Sequence, residues 1–98
     1  MNKIVYVDID DTMVRSVGTK RIPMPAVIDQ VRRLKQEGTT LYLWSSGGAE
    51  YCRNTAAELG ISHCFEAFLA KPTVYIDDQP LNEWKFCKHL YPAQSTQA

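Results

Sequence analysis

No charge of one sign prevails in this chain: lysine plus arginine and aspartate plus glutamate number 11 each, so the formal net charge is zero. A field that would draw the whole surface to nucleic acid or anionic lipid is therefore missing, and nothing points to a dedicated nucleic-acid binder. Cysteine is sparse and odd in number, with Cys52, Cys64 and Cys87 and no CxxC spacing. That pattern suits neither a disulfide framework nor a metal knuckle, and predicts reduced, half-buried core thiols. No apolar run approaches the ~20 residues that span a bilayer. The N-terminus has no basic stretch followed by a long apolar one, so no signal peptide is read. The expectation is a soluble, cytoplasmic protein that does not engage a membrane. Internal repeats, low-complexity tracts and linkers are missing as well, and 98 residues suffice for one small domain. That domain is expected over 1–92, with 93–98 a disordered tail that has nothing to bury.

What the chain does have is apolar runs that alternate with helical patterns. Lys3 to Asp8 reads as a first strand, rich in β-branched and aromatic residues. Residues 13–24 read as a polar, basic excursion carrying Arg15, Lys20 and Arg21. Pro25 opens a helix whose Val27, Ile28, Val31 and Leu34 recur at helical spacing, and Gly38 ends it. A second strand is expected over Thr39–Trp44 and a second helix over Ala49–Leu59, stopped by Gly60. A short third strand over Ile61–Phe65 and a helical turn over Phe65–Leu69 follow. Thr73–Ile76 is expected as another strand, and Pro80 opens a last helix with Leu81, Trp84, Cys87 and Tyr91 on one face. Strands alternating with helices predict the α/β class with a short parallel sheet. In such sheets ligands bind beyond the carboxyl ends of the strands.

Acid stands at two of those ends. Ile4-Val5-Tyr6-Val7 runs into Asp8-Ile9-Asp10-Asp11-Thr12, and Val74-Tyr75-Ile76 runs into Asp77-Asp78. A core cannot hold such carboxylates unpaired, and a bound cation would make their convergence inexpensive. Ser45 and Lys71 fall between the two pairs. Together these residues supply what phosphoryl transfer to an aspartate requires. Asp8 can attack phosphorus, and Asp10 can protonate the leaving oxygen and then activate water. Asp8, Asp77 and Asp78 offer the hard oxygens that suit Mg2+. Lys71 balances the charge of Asp8 and of a phosphoryl group. Ser45 offers a hydroxyl, and the Ser46-Gly47-Gly48 backbone at a helix start offers N–H groups to a phosphate. Taken singly, a Ser-Ser-Gly-Gly turn is more often only a helix cap, and Lys71 alone says less still; the order and placement of all four pieces carry the reading.

This arrangement resembles the haloacid dehalogenase-like (HAD) superfamily of Mg2+-dependent phosphohydrolases over about residues 3–90. The motifs are Val5-Tyr6-Val7-Asp8-Ile9-Asp10-Asp11-Thr12, Leu41-Tyr42-Leu43-Trp44-Ser45, Lys71-Pro72, and Val74-Tyr75-Ile76-Asp77-Asp78. The resemblance implies a three-layer α/β/α Rossmann-like core. It also implies Asp8 as nucleophile, Asp10 as acid/base, and Ser45, Ser46 and Lys71 as phosphate contacts. Asp8, Asp77 and Asp78 would hold Mg2+, with Asp10 joining through its backbone carbonyl. Two features depart from the usual pattern. Lys71 stands close before the last strand, and Asp11 fills a position that is often glycine. The gaps Met13–Thr40 and Ser46–Ala70 are taken up by core elements, so the form implied has no cap domain. An open site suits a phosphate on a bulky or macromolecular partner, or one closed by a neighbouring subunit of a homo-oligomer. The excursion at 13–24 is the only candidate lid.

Two other readings compete. A phosphate- or Mg2+-binding regulatory module without turnover would use similar residues, but a receiver domain places its acids and phosphoacceptor in a different order. A degenerate superfamily member acting as an interaction module would be expected to have lost Asp8 or Asp10, and both are present.

Overall fold

The computed structural model describes residues 3–98, so Met1 and Asn2 of the expected domain lie outside the described residues. In chain order the elements are β1 (Ile4–Val7), β2 (Val14–Val17), β3 (Lys20–Pro23), α1 (Pro25–Gln36), β4 (Thr40–Ser45), α2 (Ala49–Glu58) and β5 (Ala67–Ala70). Strands β1, β4 and β5 form a parallel sheet in the order β1-β4-β5. Strands β2 and β3 pair antiparallel as a separate hairpin.

Period-two alternation decides which sheet face is buried. In β4, Leu41, Leu43 and Ser45 point into the core while Thr40, Tyr42 and Trp44 do not. The register sets Val5 beside Leu41 and Val7 beside Leu43, so β1 offers the same face. Helix α1 covers it with Val27, Ile28, Val31 and Leu34, all buried as their spacing predicts. The chain leaves α1 through Gly38 at φ +88, a backbone state that favours glycine, while Thr39 donates back to the Leu34 carbonyl at 3.0 Å. Helix α2 adds Cys52 and Ala56 to the same core. The opposite face carries an aromatic row: the Tyr6 ring lies 5.0 Å from both Tyr42 and Trp44.

The α/β class with a parallel sheet stands, and several finer expectations are corrected. Residues 13–24 do leave the main sheet as a polar, mostly exposed excursion, but an ordered one with a buried base. Met13 and Val14 are buried, and the segment folds as the β2–β3 hairpin. Ile61–Phe65 holds a 3-10 turn at Ser62–Cys64 rather than a strand, and the strand comes later, at Ala67–Ala70, where a helical turn was expected. Thr73–Ile76 is no strand; Val74 and Ile76 are 76% and 98% exposed. The cause is chain connectivity. Lys71-Pro72 alone separates Thr73 from β5, whereas a parallel neighbour needs a crossover of about a dozen residues. The helix expected from Pro80 is reduced to a 3-10 turn at Leu81–Glu83. A lone helix that short is marginal without a surface to pack on. The third layer is accordingly not formed: among the described residues the α-helices are α1 and α2, and both feed one core. Residues 93–98, expected as a disordered tail, are ordered: a 3-10 helix over Pro92–Gln97 lies against α1, with Ala98 packed on the core. Of the cysteines, Cys52 and Cys64 are buried but Cys87 is exposed, and all three are free. No helix among the described residues is long and apolar enough to cross a membrane.

The exposed 73–76 segment yields a direct check. Ile76→Asp is expected to change the unfolding free energy by less than about 0.5 kcal/mol. A loss of about 2 kcal/mol or more in denaturant titration would show that Ile76 is a buried strand residue.

Candidate active site

The site begins with the strand end at Val7. Asp8, Ile9 and Asp10 leave β1 in alternating directions, and the Ile9 side chain is fully buried. With Ile9 committed to the core, its two acidic neighbours must turn away from it. The chain then folds back sharply. The Ile9 carbonyl accepts N–H groups from Thr12, Met13 and Val14 at 3.0, 2.8 and 3.2 Å, and Asp11 adopts φ +61 to make the turn. The turn brings Thr12 back toward the strand end, where its hydroxyl donates to Asp8 Oδ2 at 3.1 Å.

Two neighbouring strands complete the arrangement. At the end of β4, Ser45 is buried; its Oγ accepts the Gly47 N–H at 3.0 Å and its carbonyl accepts the Lys71 N–H at 2.9 Å. That last bond extends the β4–β5 ladder and fixes where Lys71 stands. From there Lys71 Nζ reaches Asp8 Oδ1 at 3.1 Å, and also lies 5.5 Å from the centre of the Trp44 ring. Both partners of this ion pair are about one-third exposed, so it orients Asp8 rather than stabilising the fold by much.

Asp10 is held from the other side. Tyr51, in the first turn of α2, donates its hydroxyl proton to Asp10 Oδ1 at 2.7 Å. Arg21 of β3 donates to Tyr51 Oη at 3.0 Å and to Thr55 Oγ1 at 3.1 Å, and pairs with Glu58 at 2.6 Å. Tyr51, Thr55 and Glu58 recur at helical spacing, so one guanidinium lies along one stripe of α2. Burial, and next the bond to Asp10, push the Tyr51 hydroxyl above its ordinary range, while Arg21 pulls it down.

Of the residues singled out in sequence, Asp8, Asp10, Ser45 and Lys71 come together at the carboxyl ends of β1, β4 and β5. Ser46 is exposed beside them at the turn into α2. Asp77 and Asp78 do not join. Both are exposed, and Asp77 Oδ1 accepts the Gln79 N–H at 2.9 Å within its own turn. Asp77 also lines an open groove of about 450 Å3 with Trp84, Phe86 and Cys87. Among the described residues, no group of three or more His, Cys, Asp or Glu could hold a metal ion. The convergence of Asp77 and Asp78 with Asp8 and Asp10 expected for Mg2+ is therefore not formed among the described residues. Sequence reading missed Tyr51 and the role of Arg21. A basic residue in a hairpin and a tyrosine in a helix give no local signal that they meet. For Thr12 the DxDxT spacing was the available signal.

A family model described as protein of unknown function (DUF705) matches residues 1–74. That span contains Asp8, Asp10, Ser45, Tyr51 and Lys71, and stops before Asp77 and Asp78. No curated protein and no solved structure matches the chain.

Burial beside the site makes the fold sensitive to alkali. The Cys52 thiol, which bonds the Leu69 carbonyl at 3.6 Å, and the Cys64 thiol are both pushed up by burial from an ordinary value of 9.0. In the folded state they stay protonated where the unfolded thiols ionise. Their contribution is thus complete below about pH 9 and is lost as pH rises through the folded values. The denaturation midpoint is expected to fall between about pH 8 and pH 10, and to fall less in Cys52→Ala. An equal fall in both proteins would contradict this.

Proposed function

We propose the following of a chain that belongs to the DUF705 family of unknown function: it hydrolyses phosphate monoesters with Mg2+, through an aspartyl-phosphate on Asp8. The observation that carries the reading is the meeting of Asp8 with Lys71 at 3.1 Å, with Asp10 two residues along on the same side of the strand end. A carboxylate fixed by an ammonium and a hydroxyl, beside a second carboxylate, supplies a nucleophile and an acid/base in one site. This is the chemistry of the haloacid dehalogenase-like superfamily, whose motifs the sequence resembles.

In the first half-reaction an Asp8 oxygen bonds to phosphorus, the bond from phosphorus to the leaving oxygen breaks, and Asp10 gives that oxygen a proton. In the second, water bonds to phosphorus, the Asp8 bond breaks, and Asp10 takes up the water proton. Inorganic phosphate and an alcohol are the products, and both aspartates return to their starting forms. Lys71 balances the charge that the phosphoryl oxygens bring against Asp8. The Ser46-Gly47-Gly48 turn offers N–H groups at the start of α2 to the same oxygens.

Mg2+ is commonly held by one or two carboxylates together with substrate phosphate oxygens and waters. Asp8 would supply one such carboxylate, with the backbone carbonyl of Asp10 beside it, while the Asp10 carboxyl group stays free for proton transfer; Asp77 and Asp78 stand apart from this end of the sheet. When bound, the ion reduces the repulsion between the anionic nucleophile and the anionic phosphate. The two long gaps in the motif pattern hold the short β2–β3 hairpin, α1 and α2, which supports a form without a cap domain. A phosphate presented by a bulky or macromolecular partner suits that opening.

Purified protein is expected to hydrolyse p-nitrophenyl phosphate with Mg2+, to stop when chelator is added, and to lose activity to background in a folded Asp8→Asn variant. Asp10→Asn should form the phosphoenzyme slowly and release it more slowly still. Full activity in Asp8→Asn, or indifference to chelator, would overturn the mechanism. Phosphate or Mg2+ binding without turnover of aryl, sugar, nucleotide, peptide or nucleic-acid phosphates would instead establish a regulatory module.

A further inference from the structure

We infer that Tyr51, held in place by Arg21, positions Asp10 for proton transfer, so that the β2–β3 hairpin sets the geometry of the acid/base. The inference rests on the phosphohydrolase reading and deepens it.

Asp10 is exposed and lies three residues beyond the end of β1, so its carboxyl group has little packing to fix its rotamer. What fixes it is one bond, from Tyr51 Oη to Oδ1 at 2.7 Å. A phenol has a single proton to donate. Because Arg21 Nη2 donates to the same oxygen at 3.0 Å, that proton is directed to Asp10 rather than elsewhere. Oδ1 is thereby occupied, which leaves Oδ2 as the oxygen that carries and delivers a proton.

Arg21 is itself over-determined by Thr55, Glu58 and the Tyr51 ring, whose centre lies 5.3 Å from its guanidinium carbon. The ring is seated against bare backbone. A Cβ at Gly47 would come within 2.8 Å of Tyr51 Cδ2, so the absence of a side chain there is what admits the tyrosine. Hairpin, helix and the turn after β4 therefore converge on one carboxyl group. In this arrangement the hairpin acts as a strut for Asp10.

The leaving group tests this. In the phosphorylation half-reaction, p-nitrophenolate departs with little help, whereas phenolate needs a proton from Asp10. Tyr51→Phe keeps the ring and removes the donor. It is expected to lower kcat/KM for phenyl phosphate by about 100-fold, and for p-nitrophenyl phosphate by less than about 10-fold, with unchanged circular dichroism and Tm. Arg21→Ala should show the same bias, and the double variant should be no worse than Tyr51→Phe, since Arg21 acts through Tyr51.

Equal losses on both esters, or losses that multiply in the double variant, would overturn the positioning role. Should wild type turn over neither ester, or Asp8→Asn remain active, the phosphohydrolase reading itself falls. Activity that depends on Asp8 but is untouched in Tyr51→Phe would overturn only the role of Tyr51.

Discussion

The burial of Ile9 is the constraint on which the site depends. Sealing an isoleucine in a core contributes about 1.5–3 kcal/mol. A one-residue slip at this point would exchange it for Asp8 and Asp10 on the core side. Desolvating two unpaired carboxylates costs more than the isoleucine contributes, so only one register is open to the strand end. The same residue closes the turn that follows, because its carbonyl collects three N–H groups and returns Thr12 to Asp8. Packing, turn and carboxylate placement are thus one decision taken at a single position.

Around that point the sheet gathers partners by register alone. Ser45 ends β4 and accepts the backbone N–H of Lys71, so the lysine is aimed at Asp8 by a ladder bond before any charge attraction acts. Electrostatics then only has to select a rotamer. Asp10 is handled differently, by a chain of donors that starts in a hairpin remote in sequence. Asp8 and Asp10 are held by separate parts of the fold: one by the sheet, the other by hairpin and helix. Disturbance of either part can be read apart from the other.

Much of this was legible in the sequence wherever local pattern and tertiary placement agree. Val27, Ile28, Val31 and Leu34 gave α1 and its buried face, and Asp8-x-Asp10 with Ser45 and Lys71 gave most of the site. Legibility failed where connectivity overrides propensity. Val74-Tyr75-Ile76 has strand composition, but its two-residue link to β5 forbids a parallel neighbour, and the acids beyond it are left in solvent. Ala67–Ala70 has weaker strand composition, yet becomes β5 because α2 supplies the crossover. Met13 and Val14 looked like the edge of a polar loop and are core residues. Tyr51 and Arg21, 30 residues apart in the chain, meet only in the folded molecule, and no spacing rule connects them.

The central claim is that Asp8 becomes covalently phosphorylated during turnover. Quenching the reaction with borohydride converts an aspartyl-phosphate to homoserine, which peptide mass spectrometry locates. The account predicts homoserine at position 8 during steady-state hydrolysis of an aryl phosphate, and none without substrate. An unaltered Asp8 while product accumulates, or homoserine at another aspartate, would contradict it.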